Sequence, residues 1–260
     1  MSEEKMDAAS LAPEERQAII LQRVNSTGRV IATALAAEFG VSEDSIRRDL
    51  RDLSDAGLVQ RFHGGASRLV TPALEYQRRE ALGNEEKQLI GRAAAATIPA
   101  GSTLLVDSST TIVHFIRSLP ATLPVRVVTT AIDVAAAALE HPLAEVILLG
   151  GRLNKLTRSS TGAATVEAIR ALRADFCVLG TCGIDDDLVV RADDYDDAFM
   201  KAAMMKASNK TLLLASSEKL GRAATHEVAP LSAVSSLFTD AHDNPILKRI
   251  EELGLDVEKV

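Results

Sequence analysis

"VSEDSIRRDLRDLSDAGLVQRFHGGA", Val41 to Ala66, sets arginines beside aspartates over one short run and ends in His63-Gly64-Gly65. Ser42 has the chemistry of a helix N-cap, and Ile46, Leu50 and Leu53 follow at i, i+4 and i+7, the spacing of one apolar helix face. With that face turned inward, Ser45, Arg47, Arg48 and Arg51 are left on or beside the outer face. Upstream, "EERQAIILQRVNSTG" reads as a first helix ending in turn residues, and "VIATALAAEFG" as a second closed by Gly40. Downstream, "GLVQRFHGGA" reads as two short strand-like pieces whose tip carries Arg61 and His63. Two helices joined by a tight glycine-containing turn, the second exposing serine and arginine near its start, predict a helix-turn-helix with a wing beside it.

Charge tempers this prediction. From Val41 to Arg68 there are five basic residues (Arg47, Arg48, Arg51, Arg61, Arg68) and five acidic ones (Glu43, Asp44, Asp49, Asp52, Asp55), and the whole chain carries a net charge of −7. Any attraction for a polyanion must therefore come from a local patch. Asp49 and Asp52 are expected to pair with neighbouring arginines and fix their guanidinium geometry. A mixed-charge helix is more often a solvated face; the glycine turn, the serine cap and the following wing reverse that preference.

The 260 residues suffice for two domains. The expected division is a winged helix-turn-helix over residues 10–68, a charged linker over 69–86 containing Pro72, and an α/β domain over 87–260. In the last part, "STLLVD", "VRVVTT", "AEVILLGG", "DFCVLGTCGI", "KTLLLAS" and "VSSLFTD" are continuous apolar runs alternating with helical segments. That pattern predicts a mostly parallel sheet covered on both faces, with ligands beyond the carboxyl ends of its strands. Cys177 and Cys182 lie five apart, which fits neither a disulfide framework nor a metal or redox pair and points to small core residues in a reducing compartment. The polar start "MSEEKMDAAS" and the absence of a long uncharged apolar run predict a cytoplasmic protein; no cofactor, metal or membrane is expected.

Candidate ligand residues cluster at the strand ends. Asp107 ends one strand, and Ser108, Ser109, Thr110 and Thr111 then open a helix, where hydroxyls and free N–H groups suit an anion as well as an ordinary cap. Thr130 ends the next strand; Gly151, with Arg152 and Lys155, follows another; Gly180, Cys182, Gly183 and Asp185 follow a further one. Asp197 and Lys201 stand at i, i+4 on a helix, usually a surface ion pair of little worth unless that face turns toward the strand ends.

At these residues the chain resembles the DeoR family of bacterial transcription regulators. "VSEDSIRRDLRDL" and "RFHGGA" carry the likeness in the first domain; Tyr76, Arg79, "NEEKQLIGRAAA", "DSSTT", "VVTT", "LLGG", "GTCGID", "DAFMK" and "SSEKLGR" extend it over nearly the whole chain. The resemblance implies a winged helix-turn-helix followed by a sensor domain similar to ribose-5-phosphate isomerase. It implies a repressor, less often an activator, of carbohydrate genes, released from double-stranded operator DNA by a phosphorylated sugar. By the same resemblance, Arg47 and Arg48 fall where the recognition helix meets DNA, and Arg61, His63, Gly64 and Gly65 in the wing. The effector set is Asp107, Ser109, Thr110, Thr111, Thr130, Gly151, Arg152, Lys155, Gly180, Cys182, Gly183, Asp185, Asp197 and Lys201. The chain departs from the family pattern at Ser109 (usually Gly), Thr130 (usually Asn), Asp197 (usually Glu) and Ser216 (usually Asp), which predicts an unusual sugar phosphate, polyol or sugar acid as effector. A homo-oligomer, dimer or tetramer, is expected because such domains read two half-sites. The alternative from another class is a phosphosugar isomerase with an appended DNA-binding domain.

Overall fold

The computed structural model describes residues 12–27, 29–62, 64–68, 76 and 79–260. The chain divides into two compact units, Met1–Leu74 and Glu75–Val260.

In the first unit α1 (Pro13–Thr27), β1 (Arg29–Ile31), α2 (Ala32–Phe39) and α3 (Glu43–Asp55) precede a hairpin of β2 (Val59–Phe62) and β3 (Gly65–Arg68). Gly40, at φ 64, closes α2 in the left-handed region, and Ser42 caps α3 by accepting a hydrogen bond from the Ser45 N–H. Ile46, Leu50 and Leu53 join Ile20, Val24, Leu35, Phe39 and Val59 in one core. The second helix starts at Ala32, not at Val30. The β-branched Val30 and Ile31 instead extend, pairing antiparallel with Ala66 and Gly65 so that the sheet order is β1-β3-β2. That pairing needs a glycine at 65, where a Cβ would stand 2.1 Å from the Val30 carbonyl oxygen.

The second unit holds α4 (Asn84–Ala96), β4 (Thr103–Val106), α5 (Thr110–Arg117), β5 (Val125–Thr129), α6 (Ile132–Leu139), β6 (Ala144–Leu148), β7 (Arg152–Asn154), β8 (Ser159–Thr161), α7 (Ala163–Arg170) and β9 (Ala174–Gly180). β10 (Gly183–Ile184), β11 (Val189–Ala192), α8 (Tyr195–Lys206), β12 (Ser208–Leu214), β13 (His226–Pro230), β14 (Ser236–Thr239), α9 (Pro245–Glu252) and β15 (Asp256–Lys259) complete it. Seven strands form a parallel sheet in the order β15-β14-β12-β9-β4-β5-β6. Its apolar runs are continuous because alternate residues feed two cores: Leu105, Val128, Leu179 and Leu213 on one face, Leu104, Val106, Val178, Leu212 and Leu214 on the other.

Winding runs outward from β4 to β6, returns through the β7–β8 hairpin and α7 to β9 beside β4, and then proceeds the other way. The order therefore reverses between β4 and β9, the switch point at which open α/β sheets form their ligand crevice. The second unit begins at Glu75, so Tyr76 and Arg79, read from the sequence as part of a linker over 69–86, belong to the α/β unit.

Candidate functional site

The exposed side of α3 carries Arg47, Arg48 and Arg51, and the wing strand β2 carries Arg61; all four are solvent-exposed. Arg47 reaches Glu43 at 2.9 Å and Asp44 at 3.8 Å. Arg48, Arg51 and Arg61 make no ion pair among the described residues. The Ser42 and Ser45 hydroxyls lie 2.9 Å apart at the start of α3. Gly64, at φ 92, lies at the wing tip; His63 lies outside the described residues. Asp49 does not orient an arginine of this surface. It is buried between helices and takes a fork from Arg16 of α1 (Nε at 2.6 Å, Nη2 at 3.2 Å), while the Gln17 amide donates to Asp49 and Asp52 at 3.2 and 3.3 Å. Position 49 lies three residues after Ile46 and shares its inward face, so its charge serves the α1–α3 junction. What remains outside is a cationic surface of serines and arginines suited to phosphates and guanine edges.

In the second unit the crevice between β4 and β9 gathers Asp107, Gly180, Asp197 and Lys201. Lys201 is buried, ion-paired with Asp107, 3.6 Å from Asp197 Oδ2, and donates to the Gly180 carbonyl at 3.2 Å. The Gly180 N–H in turn donates to Asp107 Oδ2 at 3.1 Å. The i, i+4 pair on α8 thus faces inward. Burial opposes the Lys201 charge, but Asp107 and Asp197 outweigh it and hold the ammonium protonated. Burial pushes the Asp197 carboxyl up to about 6; the attraction of Lys201 offsets this in part and the repulsion of Asp107 adds to it.

Ser109 caps α5 by accepting from the Thr111 N–H at 3.2 Å, and it fills the space over Gly180, where a Cβ would stand 2.7 Å from the Ser109 Cβ. Thr129 is consumed by the backbone, donating to the Val106 carbonyl at 2.7 Å. Four buried side-chain polar atoms have no partner among the described residues: Ser108 Oγ, Thr130 Oγ1, Asp197 Oδ1 and Arg79 Nε. The first three stand on the loops after β4 and β5 and on α8. Arg79 meets the start of α5 through its backbone, its carbonyl accepting from the Thr110 hydroxyl at 3.3 Å.

Most of the other sequence-predicted residues stand apart from this cluster; Cys182 does not, its thiol interacting with Lys201 and Asp197. Arg152 is exposed and pairs with Asp196 at 2.9 Å, and Lys155 is exposed on the turn after β7. Gly151 and Gly183 allow close packing: a Cβ would stand 2.1 Å from Thr165 Oγ1 and from the Arg222 carbonyl oxygen, respectively. Asp185 closes the β10–β11 hairpin, accepting from the N–H groups of Asp187 and Val189 and from Arg191 Nε at 2.6 Å. The Cys182 carbonyl accepts from Arg222 at 3.0 Å, and burial pushes its thiol up. Both cysteines are free. Sequence reasoning named Ser108 among the strand-end hydroxyls but did not assign Arg79, Tyr76 or Lys87 to a site; the signal available was the match of Tyr76, Arg79 and "NEEK" to the family pattern. Among the described residues no three His, Cys, Asp or Glu side chains assemble as a metal site, and no helix is long and apolar enough to cross a membrane.

Residues 83–241 match the DeoR C terminal sensor domain, and residues 16–71 match the DeoR-like helix-turn-helix domain. The chain belongs to the DeoR family of transcriptional regulators. This DeoR-family chain is 35% identical over 226 residues to the glycerol-3-phosphate regulon repressor of Escherichia coli (85% of this chain, 88% of the relative). It is 30% identical over 254 residues to the E. coli repressor CsqR (97% of each) and 30% identical over 236 residues to the Bacillus subtilis repressor GlcR (89% and 90%). These relatives are regulators, which decides for regulation over an isomerase with an appended domain. Among solved structures, ribose 5-phosphate isomerase A from Methanocaldococcus jannaschii is similar over 53% of this chain and 54% of its own, with a TM-score of 0.39 and 14% identity.

Proposed function

We propose that this chain represses a carbohydrate-related operon, binding double-stranded operator DNA through α3 and the wing and releasing it when a phosphorylated sugar, polyol or related acid enters the β4–β9 crevice. The carrying observation is the set of four unsatisfied buried atoms. Buried polar groups are otherwise almost always paired, so a guanidinium donor, two hydroxyls and a carboxylate oxygen without partners outline what a ligand must supply. Two carboxylates against one ammonium make the inner end of the crevice negative, so an acidic group is repelled from it and a ligand hydroxyl donates to Asp197 Oδ1. The outer end, with Ser108 to Thr111 at the start of α5 and Arg79 alongside, suits the anion.

A homo-oligomer fits this function because a two-fold dimer reads two half-sites. The edge strand β6 and its neighbourhood support it by leaving Leu139, Leu143, Ile147, Leu148 and Leu153 exposed. A monomeric mass by light scattering at micromolar concentration is the result that would count against it.

The testing experiment is a thermal-shift titration with matched free and phosphorylated sugars, polyols and sugar acids, followed by a gel shift on the DNA upstream of the chain's own gene. A ligand that binds only the folded state stabilises it by RT ln(1 + [L]/Kd). Stabilisation by one phosphorylated compound and not its free partner, with release of DNA by the same compound, is expected. Stabilisation by none, or only by unphosphorylated compounds, would mean that the crevice does not sense phosphorylated metabolites.

A further inference from the structure

Arg79 has three kinds of partner and one vacant donor. Its Nη2 donates to the Leu156 carbonyl at 2.6 Å, its guanidinium lies 5.7 Å from the centre of the Tyr76 ring, and its carbonyl accepts from the Thr110 hydroxyl and from Lys87 Nζ. Its Nε is buried without a partner. Arg158 lies 5.1 Å from the same Tyr76 ring, so two guanidinium groups flank one aromatic ring. Arg158 sits at φ 54, a left-handed backbone that a non-glycine residue keeps only where its surroundings hold it. The Asp133 carboxylate does so through hydrogen bonds from Arg158 Nε and Nη2 at 2.6 and 2.8 Å, and it also accepts from the Tyr76 hydroxyl. Lys87 of α4 completes the clasp, donating to the carbonyls of Arg79 and of Leu82, the latter at 2.6 Å.

This clasp engages Tyr76 and Arg79, near the start of the second unit, which follows Leu74. It meets the anion end of the crevice at Thr110, whose hydroxyl donates to the Arg79 carbonyl, and it keeps one vacant donor, Arg79 Nε. A threonine hydroxyl has one proton to donate, and a phosphate oxygen is a stronger acceptor than a peptide carbonyl. An anion seated at Ser108–Thr111 therefore takes the Thr110 proton from the Arg79 carbonyl and draws Arg79 Nε toward itself, away from Tyr76. We propose that Arg79 and Tyr76 form the coupling device of this regulator: Arg79 binds the effector's anion, and in doing so unfastens the chain that arrives from the DNA-binding unit. The proposal rests on the anion-sensing function above and adds the residues through which sensing is transmitted.

The test is amide hydrogen exchange on the full-length chain with inorganic phosphate and with sn-glycerol 3-phosphate as probes, combined with operator affinity in the presence and absence of each. Expected are slower exchange at 109–113, faster exchange at 79–83, and weaker operator binding. In Arg79→Gln the probe affinity falls roughly tenfold, the scale of one charge-assisted hydrogen bond, and the change at 79–83 disappears. Arg79→Lys, which keeps the charge without the fork, falls between and serves if the glutamine variant does not fold. Slower exchange at 109–113 with none of the change at 79–83, or an undiminished operator response in both variants, would overturn the coupling and leave anion sensing standing. No change at 109–113 with either probe would remove anion sensing, and the coupling with it.

Discussion

Replacing Asp197 by Asn should stabilise the ligand-free protein near neutral pH and weaken its effector response. The carboxyl is buried beside Asp107 and titrates near 6 in the folded chain, against an ordinary value of 3.8. A pKa raised by folding contributes stability that is present in full below 3.8 and is lost as pH rises through about 6. At 1.36 kcal/mol per pKa unit, the wild type forfeits about 3 kcal/mol across that window through this one group. Asn carries no charge and forfeits nothing. The stability difference between variant and wild type should therefore be small at pH 4 and grow to about 3 kcal/mol by pH 7.5, or ~6–12 °C in the melting of a unit this size. Lys201 keeps its direct ion pair with Asp107, so the substitution does not strand a buried charge. Urea or thermal unfolding at closely spaced pH values measures the difference. A variant no more stable than wild type at pH 7.5, or a difference independent of pH, would refute the assignment of the raised pKa to Asp197.

Three further outcomes follow from the geometry. Arg48→Ala should weaken operator binding by about 1–3 kcal/mol, whereas Arg47→Ala should do less, since Glu43 and Asp44 already share its guanidinium; gel shifts over a salt series distinguish them, and unchanged affinity would remove Arg48 from the reading set. Asp49→Ala should destabilise the first unit by about 3–5 kcal/mol, the usual cost of breaking a buried ion pair; a calorimetric loss under about 1 kcal/mol would show that the Arg16 fork is not structural. Gly180→Ala should cost about 1–3 kcal/mol by overpacking against Ser109, and most of that cost should vanish in a Ser109→Gly background; equal costs in both backgrounds would show that this contact is not the reason for glycine at 180.

Six of the seven sheet strands are legible because each carries a run of apolar residues, and the central ones alternate between two cores. β15 is not, since "DVEK" lies at the edge of the sheet and is mostly exposed, leaving no hydrophobic signature. β1 is equally hidden, because three residues have no period and only pairing with β3 makes Val30 and Ile31 a strand. In the helix-turn-helix the cap and the apolar spacing were readable. The charges were not: Asp49 looks like its neighbours in sequence and differs only because α1 brings Arg16 across to it. For the crevice, the sequence pointed to Asp107, Gly180, Asp197 and Lys201 but could not weigh them against Arg152 and Asp185, which share the strand-end position and are spent elsewhere, or Lys155, which stays exposed. Arg79 was hidden by its composition. A stretch reading "EYQRRE" looks like a solvated bridge until folding buries one guanidinium nitrogen.

In the proposed effector site, two of the four departures from the family pattern, Ser109 and Asp197, stand at opposite ends of the crevice. Serine at 109 adds a side chain over Gly180, narrowing the space between the anion loop and the inner cluster. Aspartate at 197, one methylene shorter than glutamate, holds its free oxygen further back toward α8. The distance between the place for an anion and the acceptor for a hydroxyl is therefore set by these two residues together, and it differs from that in a chain carrying glycine and glutamate. Since a site built to hydrogen-bond a hydroxyl discriminates strongly when that hydroxyl is missing or misplaced, a change in this spacing selects a different ligand rather than a weaker grip on the same one.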